Sequence, residues 1–88
     1  MKQQRVDTGW AWAKKLNIPA GAKLGDTVYL SGICSLDDAG NVEAKGDVYG
    51  QSKRTFENIE EALACAGAIM ADVVKITTYL TDISTYRD

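Results

Sequence analysis

The residues best suited to contact a small ligand are Ser31 and Gly32, which follow a run rich in β-branched and aromatic side chains. A glycine in such a run is typical of a strand bulge or of close approach by another group. The amide of Gly32 and the hydroxyl of Ser31 can both hydrogen-bond a small polar molecule. Gly32 can equally serve only to bend the strand. The residues alone leave both interpretations open.

Nucleophilic catalysis has little support in the sequence. There is no histidine, the commonest general base near neutral pH, to activate a Cys, Ser or Thr side chain. The two cysteines, Cys34 and Cys65, form no CxxC pair and do not make a disulfide framework. Free cysteine is among the residue types most often buried. We therefore expect two free thiols that are buried and inert.

Metal, acid–base and nucleic-acid chemistry are not predicted either. Without histidine or a close cysteine pair, a transition-metal site lacks its usual ligands, and the acidic turn at residues 37–41 lacks the EF-hand spacing. Glu60 and Glu61 are adjacent on a predicted helix, so their side chains point apart. The net charge of −2 favours neither nucleic acid nor an anionic membrane as a partner.

The 88 residues are enough for one small domain, and no apolar stretch approaches the length of a membrane span. The polar N-terminus leads into no hydrophobic signal segment. We therefore expect a single soluble domain over residues 1–88, located in the cytoplasm.

Two strands and a turn are predicted to position Ser31. Residues 27–34 read as a strand with Val28 and Leu30 on one face and Tyr29 on the other, beside Ser31. Residues 20–24 read as a weaker strand, joined to the first by a Gly-Asp turn. The face with Val28 needs an apolar cover, and the face with Tyr29 needs a second one.

The clearest element is a helix over residues 47–66, with Asp47 at its N-cap and Gly67 as the left-handed residue beyond its end. Side chains spaced at about 100° per residue form a stripe that we expect to cover Val28 and Leu30. The stripe consists of Val48, Ser52, Phe56, Ile59, Leu63 and Ala66.

The flanking segments complete the predicted architecture. Residues 1–9 read as a polar lead-in to a short helix through Trp10 and Leu16. Trp10 and Trp12 are interpreted as packing residues of an N-terminal arm, with a contact across a subunit boundary as the alternative. Residues 73–81 alternate as a strand. The order strand, strand, helix, strand predicts an α+β domain with one helix layer on one face of a small sheet.

Six ordered blocks give the chain a resemblance to a known family. They are GDTVYLSG at 25–32, GDVYGQ at 46–51, NIEEAL at 58–63, AG at 66–67, DVVK at 72–75 and YLTD at 79–82. In this order and spacing they resemble the RidA/YjgF family, also described as endoribonuclease L-PSP, from about Trp10 to the last residue. The resemblance covers the N-terminal two-thirds of the family domain.

The resemblance implies a chorismate-mutase-like α+β fold assembled as a homotrimer, with ligand pockets between subunits. A partner subunit would then cover the face that carries Tyr29. Active members hydrolyse reactive enamines and imines to 2-oxo acids and ammonia without a cofactor. The resemblance carries over Ser31 and Gly32 as substrate-binding residues, with Cys34 nearby in position. The ligands implied are small 2-imino and 2-oxo acids.

The sequence departs from the family pattern at several points. The family's arginine, which holds the substrate carboxylate, and its glutamate belong to the C-terminal third, so both are expected beyond residue 88 and no catalytic residue is assigned here. A pocket tyrosine of the family aligns with Ile18, and the family's Ser-Gly-Gln reads Ser31-Gly32-Ile33. The first hypothesis is an enamine/imine deaminase. The alternative is a non-catalytic ligand-binding or chaperone-like member, and the third is a ribonuclease or translation inhibitor.

Overall fold

The computed structural model describes residues 3–85 and has an α+β architecture with a three-stranded sheet and two α-helices. In chain order the elements are β1 (Gln3–Val6), α1 (Ala11–Leu16), β2 (Gly21–Leu24), β3 (Thr27–Leu30) and α2 (Val48–Cys65), followed by single 3₁₀ turns at Met70–Asp72 and Ile83–Thr85. The predicted fold class is therefore confirmed, although the order of the elements differs.

The first difference lies at the N-terminus, where the expected polar lead-in forms β1. This strand pairs antiparallel with β2, which pairs antiparallel with β3, so β2 is the central strand. Only Val6 of β1 is buried, and Gln3, Gln4 and Arg5 are exposed. Because an edge strand can be polar on most of its length, its composition gave no alternating apolar signal.

The pleat of the sheet divides its side chains between two faces. Val28 and Leu30 lie on the inner face together with Val6, and they pack against the core cluster that includes Ala62 of α2 and Ala66, the residue after it. Tyr29 lies on the outer face and remains 65% exposed. The two faces predicted for the segment after Gly25 are confirmed, but β3 ends at Leu30, four residues earlier than expected. One further backbone hydrogen bond, from Ser31 N to Ala20 O at 2.8 Å, closes the ladder.

Helix α2 agrees with its predicted bounds, and Gly67 adopts the expected positive φ of 79°. Its buried face is rotated from the predicted stripe. Leu63 and Ala66 are buried as expected, but Phe56 is 42% exposed, whereas Ala62 is fully buried. Alanines rather than Phe56 therefore lie in the core cluster, together with Val6 of the sheet.

The predicted strand at residues 73–81 does not form. The segment contributes to none of the ladders in the described sheet, and Val74 and Tyr79 are 98% and 91% exposed. Alternation of side chains indicates which face a strand would bury, but a strand also requires a neighbour to accept its backbone hydrogen bonds. No neighbour pairs with it among residues 3–85, so the pattern is not expressed as a strand.

The N-terminal arm packs as interpreted. The rings of Trp10 and Trp12 stack with centroids 5.9 Å apart and an angle of 16° between their planes. Trp10 is buried in the core, and its indole N–H donates a hydrogen bond to the Glu61 carboxylate on α2. Helix α1 ends at Asn17, which takes a left-handed conformation with φ of 54°. The arm is thereby attached to α2 as well as to the sheet.

Candidate functional site

The described surface has an open groove on the outer side of the sheet, with a volume of about 520 Å³. We call it the Ser31 groove. Its walls are formed by Gln3, Arg5, Pro19, Gly21, Ala22, Tyr29, Leu30 and Ser31. All three strands and the segment before β2 contribute to it. The groove therefore depends on β1, the strand that the sequence pattern did not indicate.

The floor and two walls of the Ser31 groove follow from strand register. Arg5 of β1 pairs with Ala22 of β2, and Ala22 pairs with Tyr29 of β3. Directly opposed residues in a sheet place their side chains on the same face. The short side chain of Ala22 thus lies between two long ones. This large–small–large row gives a depression with a cation on one side and a phenol on the other.

Ser31 is fixed at the end of this groove by its own hydrogen bonds. Its hydroxyl lies 3.0 Å from the carbonyl oxygen of Ala20 and 3.2 Å from that of Pro19, and it is the donor in both contacts. A serine hydroxyl has one hydrogen and two lone pairs. With its hydrogen directed to the backbone, Ser31 is left to accept a hydrogen bond from a ligand N–H or O–H group.

The other two predicted site residues are placed differently. A Cβ added at Gly32 would meet nothing within 4 Å, so no close approach in the described structure requires glycine there. Cys34 does not line the Ser31 groove. Its thiol and that of Cys65 are free and exposed, so the prediction that they are buried is wrong. Cys34 lies in the loop after β3, and Cys65 is the last residue of α2.

The loop that follows Ser31 is held by two polar side chains of α2. The Asn58 amide donates to the carbonyl oxygens of Cys34 at 2.9 Å and Leu36 at 3.0 Å. Arg54 donates from Nε to the same Leu36 oxygen at 3.3 Å and forms an ion pair with Glu43 at 3.2 Å. Asn58 is only 5% exposed. An asparagine inside a helix, where it is a poor helix former, is the sequence signal that could have revealed this role.

Arg5 is the second residue that sequence reasoning did not identify. Its Nε lies 2.8 and 2.9 Å from the two Asp7 carboxylate oxygens, and one Nη2 hydrogen is donated to Asn17 Oδ1 at 3.1 Å. The guanidinium is partly exposed and also lines a second, smaller cleft of about 360 Å³, together with Asp7 and Lys14. The sequence gives no signal for Arg5, because residues 1–9 are predicted as a polar lead-in and not as a strand.

Residues 3–85 contain neither a metal-binding cluster nor a membrane-spanning helix. No group of three or more Cys, Asp or Glu side chains in that part of the chain is arranged to hold a metal ion. None of the helices described is both long and apolar enough to cross a membrane. The acidic turn at residues 37–41 instead closes on itself, since Asp37 accepts hydrogen bonds from Asn41.

The chain is similar to known proteins over most of its length. Residues 17–88 match the family described as Endoribonuclease L-PSP. A RutC family protein of Pyrococcus abyssi is 39% identical over 64 residues, which are 73% of this chain and 50% of that protein. Protein DfrA of Myxococcus xanthus is 37% identical over 62 residues, 70% of this chain and 47% of that protein.

The chain is also similar to a protein whose name states an enzymatic activity. The 2-iminobutanoate/2-iminopropanoate deaminase of Capra hircus is 37% identical over 60 residues, 68% of this chain and 44% of that protein. The chain thus spans about half the length of the curated relatives that it matches.

Proposed function

The chain belongs to the endoribonuclease L-PSP family, which is the RidA/YjgF family, and on this basis we propose that it binds small 2-imino acids in the Ser31 groove and takes part in their hydrolysis. The observation that carries the proposal is the position of Ser31. The family's Ser-Gly pair falls at the end of β3, and its serine forms one wall of a groove that a cation and a phenol also line.

The reaction adds water to the carbon of the C=N bond and then releases ammonia. A 2-imino acid and one water give a 2-oxo acid and one ammonia, with no change of oxidation state. In the proposed complex, the Ser31 hydroxyl accepts a hydrogen bond from the imine N–H, because its own hydrogen is directed to Ala20 and Pro19. Gly32 and Cys34, the other two substrate-binding residues that the family resemblance implies, lie outside the lining of the groove and stay predictions.

The assay is the release of ammonia and 2-oxo acid from freshly generated 2-aminoacrylate. The expected result is a rate above that in buffer, reduced in Ser31→Ala and unchanged in Ser84→Ala, which alters a serine outside the groove. Equal rates in protein and buffer, with the chain folded, would remove the catalytic part of the proposal.

A non-catalytic ligand-binding role is the second candidate, and the state of Ser31 favours it. A hydroxyl that already donates to two backbone carbonyls is neither a free nucleophile nor a proton donor. Binding without turnover predicts a rise in melting temperature with millimolar 2-oxobutanoate, since a ligand that binds only the native state stabilises it. A melting temperature that does not change at that concentration would contradict both candidates. Ribonuclease activity stays a third hypothesis that rests on the family's description.

We also propose a homotrimer in which a neighbouring subunit covers the outer face of the sheet. The support is the exposure of Tyr29 and Leu24 on that face, since large apolar side chains grouped on one surface are typical of an interface. Light scattering should give three times the chain mass. A stable folded monomer would refute this assembly.

A further inference from the structure

We propose that the smaller cleft, between β1 and α1, binds the phosphate group of a small phosphate monoester through Thr8, Lys14 and Arg5. The cleft has a volume of about 360 Å³ and shares only Arg5 with the lining of the Ser31 groove. All three proposed contact residues precede residue 17, where the match to the family begins. The site is therefore separate from the groove and goes beyond the proposed function.

The path of the chain around this cleft brings the three side chains together. The chain leaves β1, turns at Gly9 with a φ of 85°, and enters α1. At the end of α1, Asn17 takes its left-handed conformation, and the backbone N–H of Ile18 donates to Ala13 O at 2.9 Å. Asn17 Oδ1 then accepts a hydrogen bond from Arg5 Nη2 at 3.1 Å. This contact joins β1 to the end of α1, and both elements line the cleft.

Thr8 and Lys14 both have donor hydrogens left for a ligand. Thr8 Oγ1 accepts a hydrogen bond from the Trp10 backbone N–H at 3.3 Å. A threonine hydroxyl also has one hydrogen of its own, and none of the hydrogen bonds within residues 3–85 uses that of Thr8. The Lys14 ammonium carries three donors, and across the same residues its side chain forms no hydrogen bond or ion pair. The cleft thus offers a hydroxyl donor beside a positive charge.

Arg5 adds a third donor group on the β1 side of the cleft. Its Nε is directed to Asp7 and one hydrogen of Nη2 to Asn17. In the described part of the chain, none of the hydrogen bonds uses Nη1, so the two hydrogens of this nitrogen are available. Asp7 and Asn17 hold the guanidinium in one orientation, which reduces the entropy lost when a ligand binds.

The charges that line the cleft favour a dianion. Arg5 and Lys14 contribute two positive charges and Asp7 one negative charge, so the lining is positive overall. A phosphate monoester carries a charge of about −1.5 to −2 at pH 7 and has three terminal oxygens. These oxygens match a guanidinium fork, an ammonium and a hydroxyl. A carboxylate has only two oxygens and a single charge, so fewer contacts would hold it against the same repulsion from Asp7.

The cleft also has an apolar wall for the ester group. Ala13 and Ile18 both line it, and Ile18 is 41% exposed. Contact between an alkyl group and these side chains removes apolar surface from water, which favours an ester over inorganic phosphate. The expected ligand is therefore a phosphate monoester with a short alkyl group.

The test is an NMR titration of the 88-residue protein with ethyl phosphate and with inorganic phosphate. The natural sequence should show saturable amide shifts around the cleft and should bind ethyl phosphate more tightly. Lys14→Gln should weaken binding by about threefold to fivefold, the effect of losing one exposed ion pair. Lys15→Gln, which removes the neighbouring charge of α1 outside the cleft, should bind as the natural sequence does. Thr8→Val should weaken binding, whereas Thr8→Ser should retain it because the hydroxyl remains.

Each outcome decides the assignment. A spectrum without saturable shifts at millimolar ethyl phosphate would overturn the site and leave the proposed function intact. Equal affinities in Lys14→Gln and Lys15→Gln would show a general charge effect and would also overturn it, and equal affinities for the two ligands would overturn the choice of an ester. Ser31→Ala should bind as the natural sequence does, and a loss there would place the ligand in the Ser31 groove instead. Should Lys14→Gln not fold, Asp7→Asn decides: removal of this negative charge should tighten binding, and unchanged or weaker binding contradicts the proposal.

Discussion

The side-chain amide of Asn58 donates a hydrogen bond of 2.9 Å to the backbone carbonyl of Cys34, 24 residues earlier in the chain. A second hydrogen bond from the same amide nitrogen reaches Leu36 O. Asn58→Ala removes both, although Cys34 O keeps its hydrogen bond from Leu36 N–H and Leu36 O keeps the one from Arg54. We expect it to lower the free energy of unfolding by about 1–3 kcal/mol. Urea titration followed by circular dichroism measures the change.

The matched control for Asn58 is Lys53→Ala, which alters an exposed residue of the same helix. It should change the free energy of unfolding by less than about 0.5 kcal/mol. Equal losses in the two variants would mean that the amide does not fasten the loop after β3.

The hydrogen bond from the Trp10 indole to Glu61 predicts a specific role for one of the two stacked tryptophans. Trp10→Phe keeps an aromatic ring but removes the N–H, and we expect a loss of about 1.5–3 kcal/mol because the acceptor is charged. Glu61→Gln retains an acceptor and should cost less. Trp12→Phe keeps the Trp10–Glu61 contact and serves as the control. A larger loss for Trp12→Phe than for Trp10→Phe, measured by urea unfolding, would contradict this assignment.

The buried face of α2 predicts opposite responses at two alanines of that helix. Ala62 is fully buried in the core cluster, whereas Ala64 is exposed. Ala62→Leu adds volume where none is available and should cost about 1–3 kcal/mol of stability. Ala64→Leu adds the same volume toward solvent and should be nearly neutral. Similar melting temperatures for the two variants would place the buried face of α2 elsewhere.

The acidic turn predicts a dependence of stability on pH. The backbone N–H of Asn41 donates to Asp37 at 2.8 Å and holds the pKa of that carboxyl below its ordinary value of 3.8. Because the folded pKa is lower than the unfolded one, this contribution to stability is present above about pH 4 and is lost as the pH falls through the lowered value. Asp37→Asn should lose less stability than the natural sequence between pH 5 and pH 3. Parallel losses over that range in urea titrations would show that Asp37 has no such role.

The sequence supports helix α2 and the faces of β3 because both rest on strong local patterns. Gly67 and the 100° spacing indicate the end and the periodicity of the helix, and the alternation from Thr27 to Leu30 indicates the strand faces. Asp47 takes the predicted N-cap position, although its side chain forms no capping hydrogen bond. The rotation of α2 is not predictable from those patterns, since it depends on which side chains pack into the core. Ala62 is fully buried there, and a small side chain contributes little to a hydrophobicity pattern.

The groove was harder to predict than the fold. Ser31 was identified through its Ser-Gly block, but Arg5 and Ala22 become neighbours only through the pairing of β1 with β2. A polar edge strand has no periodic pattern of apolar residues, so the local sequence does not predict that β1 pairs with β2. The opposite error occurred at residues 73–81, where a clear alternation has no strand partner within the described structure.

The most direct test of the central claim is a ¹H–¹⁵N NMR titration of the protein with 2-oxobutanoate. The Ser31 groove predicts concentration-dependent shifts at the amides of Gly21, Ala22, Tyr29 and Ser31, with Asn41 and Ala64 unaffected. Saturable shifts confined to those groove amides are the predicted result. An unchanged spectrum at millimolar ligand, or shifts centred on a different part of the chain, would contradict the claim that this groove binds a small 2-oxo or 2-imino acid.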